Sequence, residues 1–360
     1  MSKHVFFPSY TIGDDAFDEI PAVCSRYGKK AVLIGGKTAI SKVEEGLKAA
    51  LSQGDFELLD TIWFGGDSTL ENVEKLVQNP KVQEADMLFG AGGGRALDTT
   101  KMTAHALKKP FFTLPTIAST CASCTSLAVQ YYPDKRYRGV EISDYPANHI
   151  FIVPHIIAEA PIEYLWAGLG DTMAKYYESI TSTRLLDLRH SDDLGVTISR
   201  MSAEPLFKYG AQALEDARAH KVTEALEQAI LAVIVSTGLV SNLAQHDYNT
   251  GMSHAMYFGL VALEGQIPHH LHGEIVGYGN LVLLMLDKRL DEFERVYKFN
   301  RSIGLPTCLG DMDVKTPEHI QKVIEVAAAT PDLLIWPYKV TQSMVQDAVM
   351  GVEDYHKAHA

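Results

Sequence analysis

Three consecutive glycines, Gly92-Gly93-Gly94, follow through Ala91 on a short apolar run at residues 87–90 and precede a stretch of helical periodicity at residues 95–107. A strand that turns through glycine into a helix belongs to the alternating pattern of a parallel sheet covered by helices. The rest of the N-terminal region repeats that pattern. Residues 31–35, 56–64 and 111–114 read as strands, and residues 38–51 and 70–77 as helices, the second opened by Ser68 or Thr69 as N-cap. Glycine at such a junction lets the backbone approach a bulky ligand and leaves amide groups free at a helix N-terminus, which is the chemistry of a pyrophosphate site. Taken alone, the triplet is equally compatible with a tight turn that binds nothing.

Beyond about residue 161 the texture changes. Residues 162–181, 222–243, 251–262, 274–286 and 316–328 carry apolar side chains at three- and four-residue spacing, with almost no strand signal. At 360 residues the chain exceeds what one core usually serves. The expected organisation is an α/β domain with a parallel Rossmann-like sheet over residues 1–160, followed by an all-α domain over residues 161–360. No apolar run approaches the roughly 20 residues that span a bilayer, and Val5-Phe6-Phe7 is too short for a signal peptide. A cytoplasmic protein without membrane partners is therefore expected. The net charge of −13, with basic residues scattered, repels polyanions and excludes a nucleic-acid role. The partners expected are small-molecule substrates and, at most, further copies of the chain. Cys24, Cys121, Cys124 and Cys308 are too few and too dispersed for a disulfide framework, and no second pair accompanies the C-x-x-C of Cys121 and Cys124.

Several side chains carry candidate chemistry. Asp98 and Lys101 lie one helical turn apart on the same face after the glycine turn. Thr116, Ser119 and Thr120 offer small hydroxyls to a phosphate or ribose. In the helical half, Asp171 reads as an N-cap or as a ligand, and His254 precedes by 18 residues the run His269-His270-Leu271-His272-Gly273-Glu274. Clustered imidazoles and a carboxylate suit zinc or ferrous iron, three protein ligands leaving positions open for a substrate oxygen. Spacing alone does not choose among the histidines.

The string Gly92-Gly93-Gly94-Arg95-Ala96-Leu97-Asp98-Thr99-Thr100-Lys101 is followed by Pro115-Thr116-Ile117-Ala118-Ser119-Thr120, then by the aspartate and histidine segments. In this order they resemble, over nearly the full length, the glycerol dehydrogenase branch of the iron-containing alcohol dehydrogenase superfamily. The resemblance implies a dehydroquinate synthase-like fold. It also implies a nicotinamide cofactor held by Gly92, Gly93, Gly94, Arg95, Asp98, Thr116, Ser119, Thr125, Leu127 and Tyr131, and one divalent metal on Asp171, His254 and His272. Zn2+ is favoured and Fe2+ is the alternative. His269 and His270 become spares, with His270 a candidate for proton transfer. Gly36 stands where NAD-preferring members carry an aspartate, and Lys37 follows it, so NADP(H) is expected with NAD(H) still open. Cys121 stands where glycerol dehydrogenases hold a substrate hydroxyl with an aspartate. Together with Gly170-Asp171-Thr172-Met173-Ala174-Lys175 it looks more like the hydroxycarboxylate dehydrogenase subgroup, which reduces 2-oxo acids. The implied reaction is hydride transfer between NAD(P)(H) and a small alcohol, polyol or 2-hydroxy acid. The alternatives are a glycerol dehydrogenase and a dehydroquinate synthase-like lyase, whose phosphorylated substrate would call for more lysines and arginines than the metal-bearing segments carry.

Overall fold

The apolar runs of the N-terminal region become strands β1 (Ser9–Ile12), β2 (Lys30–Gly35), β3 (Glu57–Trp63), β4 (Met87–Gly92), β5 (Phe111–Pro115), β6 (Leu127–Tyr131), β7 (Tyr137–Ile142) and β8 (His149–Ile152) in the computed structural model, which describes residues 5–359. Six of them form a parallel sheet in the order β1-β8-β5-β4-β2-β3, and β6 pairs with β7 as an antiparallel hairpin. Strands β4, β5 and β8 are buried along their whole length. Helices cover both faces of such a sheet, which is why these strands read as continuous apolar runs rather than as alternation. Successive residues feed opposite cores: Ala31, Leu33, Met87, Phe89, Phe112 and Leu114 pack on one side, and Val32, Ile34, Leu88 and Phe111 on the other. The outer strand β3 is only partly buried.

The chain leaves β2 outward to β3 and returns to β4 on the other side of β2. The winding therefore reverses between β2 and β4, and in open α/β sheets ligands collect at the carboxyl ends of strands at such a reversal. Gly36 and the glycine triplet lie at those two ends. The helices Lys37–Ser52 and Gly94–Leu107 start there.

The chain divides into two compact units, Met1–Pro161 with Asp216–Ile230, and Ile162–Glu215 with Leu231–Ala360. Residues 216–230, which the sequence pattern assigns to the helical half, thus group with the α/β unit. The second unit holds no named strand among the described residues, only an isolated bridge between Glu264 and Ile267. Its long helices include Ile162–Thr183, Met252–Val261 and His272–Leu286. Contrary to the reading of the sequence, the helical stretch Glu224–Leu243 is apolar enough by length and composition to cross a membrane, yet 61% of its apolar window is buried inside the protein. Its apolar side chains serve packing, and Glu224 and Glu227 break up the run in the sequence. The four cysteines form no disulfide.

Candidate metal centre and nucleotide turn

Three helices of the second unit meet almost backbone to backbone. A Cβ on Gly170 would run into the Gly273 carbonyl oxygen, one on Gly273 into that of Ala167, and one on Gly279 would lie 2.5 Å from that of Ser253. Glycine at these positions is what lets the 162–183 helix approach the 272–286 helix, and the latter approach the 252–261 helix. Asn280 fastens the junction: its buried amide donates to the Gly170 carbonyl at 3.1 Å and its oxygen accepts from the Ser253 hydroxyl at 2.8 Å. Gly170, Gly273 and Ser253 each adjoin a candidate ligand in sequence, so the close approach carries Asp171, His254 and His272 toward one point.

The result is a cluster in which one ligand atom from each of Asp171, His254 and His272 lies within 4.8 Å of the others. His272 Nε2 is 3.2 Å and His254 Nε2 3.7 Å from Asp171 Oδ1. Ligands at zinc-nitrogen and zinc-oxygen distances around a tetrahedral ion stand about 3.4 Å apart, so the spacing fits a first-row divalent cation. The imidazoles are held in position. The Nδ1 of His254 hydrogen-bonds to Glu178 Oε2 at 2.7 Å, and Glu178 Oε1 accepts from the His254 backbone amide at 3.0 Å. Glu178 is wholly buried and lies two turns after Asp171 on the same helix face. Committing Nδ1 to a carboxylate leaves Nε2 as the metal-facing nitrogen, a usual outer-sphere arrangement. The Tyr257 ring packs edge-on against His272 at 4.3 Å, and His272 keeps 39% of its side chain exposed, which leaves an open side.

The electrostatics also ask for a cation. Burial opposes charge on the His254 ring, but Glu178 and then Asp171 outweigh it and raise the ring to about 9. Burial pushes the Asp171 carboxyl up, yet His272 and His254 pull harder and hold it below its usual value. Without an ion the site gathers positive charge as a proton, and a divalent cation would replace it.

His270 is outside this cluster. Its Nδ1 pairs with Glu274 Oε1 at 3.0 Å while Glu274 Oε2 caps the Leu271 amide, and its buried Nε2 faces Asp313 Oδ2 at 3.6 Å. His269 is exposed.

In the first unit, the Gly94–Leu107 helix starts from Gly93 without a side-chain cap. Gly92 has φ +145°, where a side chain is strained, and a Cβ on Gly93 would strike the Ile117 side chain. Above Gly94 stand Thr120 Oγ1, at 3.5 Å from the place of a Cβ, and Ala122, at 3.8 Å. The loop of residues 116–125 therefore lies against the turn, with the Thr116 amide bonded to the Gly92 carbonyl at 3.2 Å. Ser119 is half-buried in that loop, and Cys121 opens its last turn by accepting from the amides of Cys124 and Thr125. The Thr125 hydroxyl accepts from the Leu127 amide at 3.2 Å. Arg95 lies over the Tyr131 ring at 4.8 Å and pairs with Asp67 Oδ2 at 3.1 Å, a partner the sequence did not suggest.

Asp98 departs from its expected role as a cofactor contact. It is buried, one carboxylate oxygen takes Lys101 Nζ at 3.0 Å and the other takes the Val129 amide at 3.0 Å, while Lys101 also reaches the Leu127 carbonyl. The pair fastens the 94–107 helix to β6, so its shared helix face turns inward rather than toward a ligand. Gly36 caps the 37–52 helix with open space beside it: a Cβ there would meet Phe64 at 3.8 Å and Ala39 at 3.9 Å, ordinary contacts. Lys37 Nζ lies 5.1 Å from the exposed Trp63 ring.

Sequence reasoning missed Glu178, Asn280 and the junction glycines. The spacing of seven between Asp171 and Glu178, two turns on one helix face, was a readable signal for the first; the others become visible only once the helices are paired.

Known proteins share this architecture. The family model for iron-containing alcohol dehydrogenase matches residues 8–153. A glycerol dehydrogenase of Thermotoga maritima is 31% identical across 99% of this chain and 98% of its own. Hydroxycarboxylate dehydrogenase A of Escherichia coli is 30% identical over 91% of this chain and 90% of its own. The crystal structure of glycerol dehydrogenase from Schizosaccharomyces pombe superposes with a TM-score of 0.86 at 27% identity, covering 99% of this chain and 92% of that one.

Proposed function

The chain belongs to the iron-containing alcohol dehydrogenase family and is a metal-dependent alcohol oxidoreductase, and from that premise we propose that it reduces small 2-oxo acids to 2-hydroxy acids with NADP(H). The observation that carries the metal-dependent chemistry is the triad of Asp171, His254 and His272, with donor atoms within 4.8 Å of one another and an imidazole clamped by Glu178. Bound there, a divalent cation, zinc before iron, would supply Lewis acidity to a substrate oxygen, and a nicotinamide on the first unit would supply or accept hydride. The protein's own part is positioning. Glu178 fixes the tautomer and direction of His254, Tyr257 holds the His272 ring, and the open side of His272 admits substrate.

At the nucleotide turn, the uncapped amides of the 94–107 helix and the hydroxyls of Thr116, Ser119 and Thr120 offer donors to phosphate oxygens. NADP(H) is supported by Gly36 and Lys37: no carboxylate is present to repel a 2′-phosphate, and a lysine adjoins. The 2-oxo acid is supported by Cys121, a neutral side chain in the stretch where a carboxylate would anchor a polyol and repel an acid. The relatives named above are dehydrogenases, which favours this reading over the lyase.

Steady-state kinetics on metal-replete protein provide the test. The expected result is a larger kcat/KM for 2-oxobutyrate reduction than for glycerol oxidation, and glycerol emerging as the best substrate of a broad panel would refute the substrate assignment.

A further inference from the structure

Lys175 stands one helical turn after Asp171 and less than one before Glu178, so the three share a face of the 162–183 helix. It is half-buried, and no hydrogen bond or ion pair engages its ammonium among the described residues. The carboxylates on its own helix face are committed elsewhere: Asp171 faces the two imidazoles, and both oxygens of Glu178 hold His254. Asp332, which lies near enough to His254 to feel its charge, is pushed toward its neutral form by burial. The charge of Lys175 is felt across the site. After burial it is the largest influence lowering the His246 ring, and it acts also on Asp171 and His254.

A half-buried ammonium that no carboxylate pairs with directly has its donors available to an arriving anion. Four residues advance about 6 Å along a helix, so Lys175 starts one turn from Asp171 on the helix face that bears the triad's carboxylate. A 2-oxo acid presents the matching pair of groups: a ketone oxygen for the triad and, on the adjacent carbon, a carboxylate.

We propose that Lys175 is the anchor for the carboxylate of the substrate and so sets the preference of this enzyme for 2-oxo acids over uncharged carbonyls. The inference rests on the 2-oxo acid reading above and names the side chain that would enforce it.

The experiment compares 2-oxobutyrate with 1-hydroxy-2-butanone, which has the same carbon skeleton with a hydroxymethyl group in place of the carboxylate. A charge-assisted hydrogen bond of ordinary strength corresponds to about 10- to 100-fold. Lys175→Met is expected to lower the ratio of kcat/KM for the acid to that for the ketone by this factor, mainly through KM. Oxamate binding, measured by calorimetry on the metal-replete protein, should weaken in parallel, and Lys175→Arg should restore part of both. Zinc content, measured by elemental analysis, should stay at the wild-type level. A wild-type enzyme that prefers the ketone would sink the substrate reading, and the anchor with it. A wild-type preference for the acid that survives in Lys175→Met, or an equal fall for both substrates, would overturn the anchor alone.

Discussion

The nucleotide turn and the metal centre are built on opposite principles. The turn is local: glycine backbone, a helix N-terminus and a neighbouring loop, all within residues 92–125, supply its groups. The metal centre is assembled from three helices whose ligands are separated by 83 and 18 residues, Asp171 to His254 and His254 to His272. A local site depends on the conformation of a few residues. An assembled one depends on helix packing, and here the packing tolerates no side chain at Gly170, Gly273 or Gly279. The first kind can be retuned by changing what borders it, whereas the second can be lost at a distance.

Substitution of the ligands themselves should break the comparison most visibly. His254→Ala and His272→Ala are each expected to remove the metal and lower turnover by at least about 1,000-fold, the scale on which whole elements of a catalytic site act, while dinucleotide affinity stays within about twofold. The exposed His269 should tolerate alanine with metal and turnover retained. Elemental analysis with a nucleotide fluorescence titration on the same preparations checks both halves, and a His272→Ala protein that keeps its metal would refute the triad.

Glu178→Gln sharpens the same contrast from one shell out. The amide keeps the size of the carboxylate but loses its charge and forces a donor or acceptor mismatch on one of its two partners, His254 Nδ1 and the backbone amide. Loss of such an orienting partner typically weakens metal binding about 10- to 100-fold. Chelator competition measures this, and unchanged affinity would show that Glu178 only fills space.

The smallest effect belongs to the turn. Gly36→Asp meets only ordinary contacts, so melting should shift by less than about 0.5 kcal/mol equivalent, while the NADPH to NADH ratio of kcat/KM falls by about tenfold. A wild-type preference of more than tenfold for NADH would dismiss the NADP(H) assignment outright.

These differences also govern what could be read from the chain. The glycine turn, its flanking strands and the α/β-then-helical order were legible because they are encoded within short windows. The 127–131 and 137–142 hairpin was not, since β7 is mostly exposed and carries little apolar signal. Asp98 was misassigned because a shared helix face says nothing about whether that face turns to a ligand or to β6. The triad was legible through its flanking motifs, but on spacing alone His269, His270 and His272 were equivalent. What separates them is the start of the 272–286 helix, where Glu274 draws His270 into a cap and leaves His272 beside Asp171. Residues 216–230 look like their helical neighbours, and only tertiary grouping places them with the first unit.

Asn280 gives the assembled site a thermodynamic character of its own. One buried amide bonds to the 162–183 helix and to the 252–261 helix at once, so neither helix can slide on the 272–286 helix without leaving a polar group unpaired in the interior. Partial loosening is thereby penalised, and the junction is confined to two conditions, closed or open. Heat or denaturant should release the ion in a single cooperative step that coincides with melting of these three helices, rather than in a gradual decline of affinity.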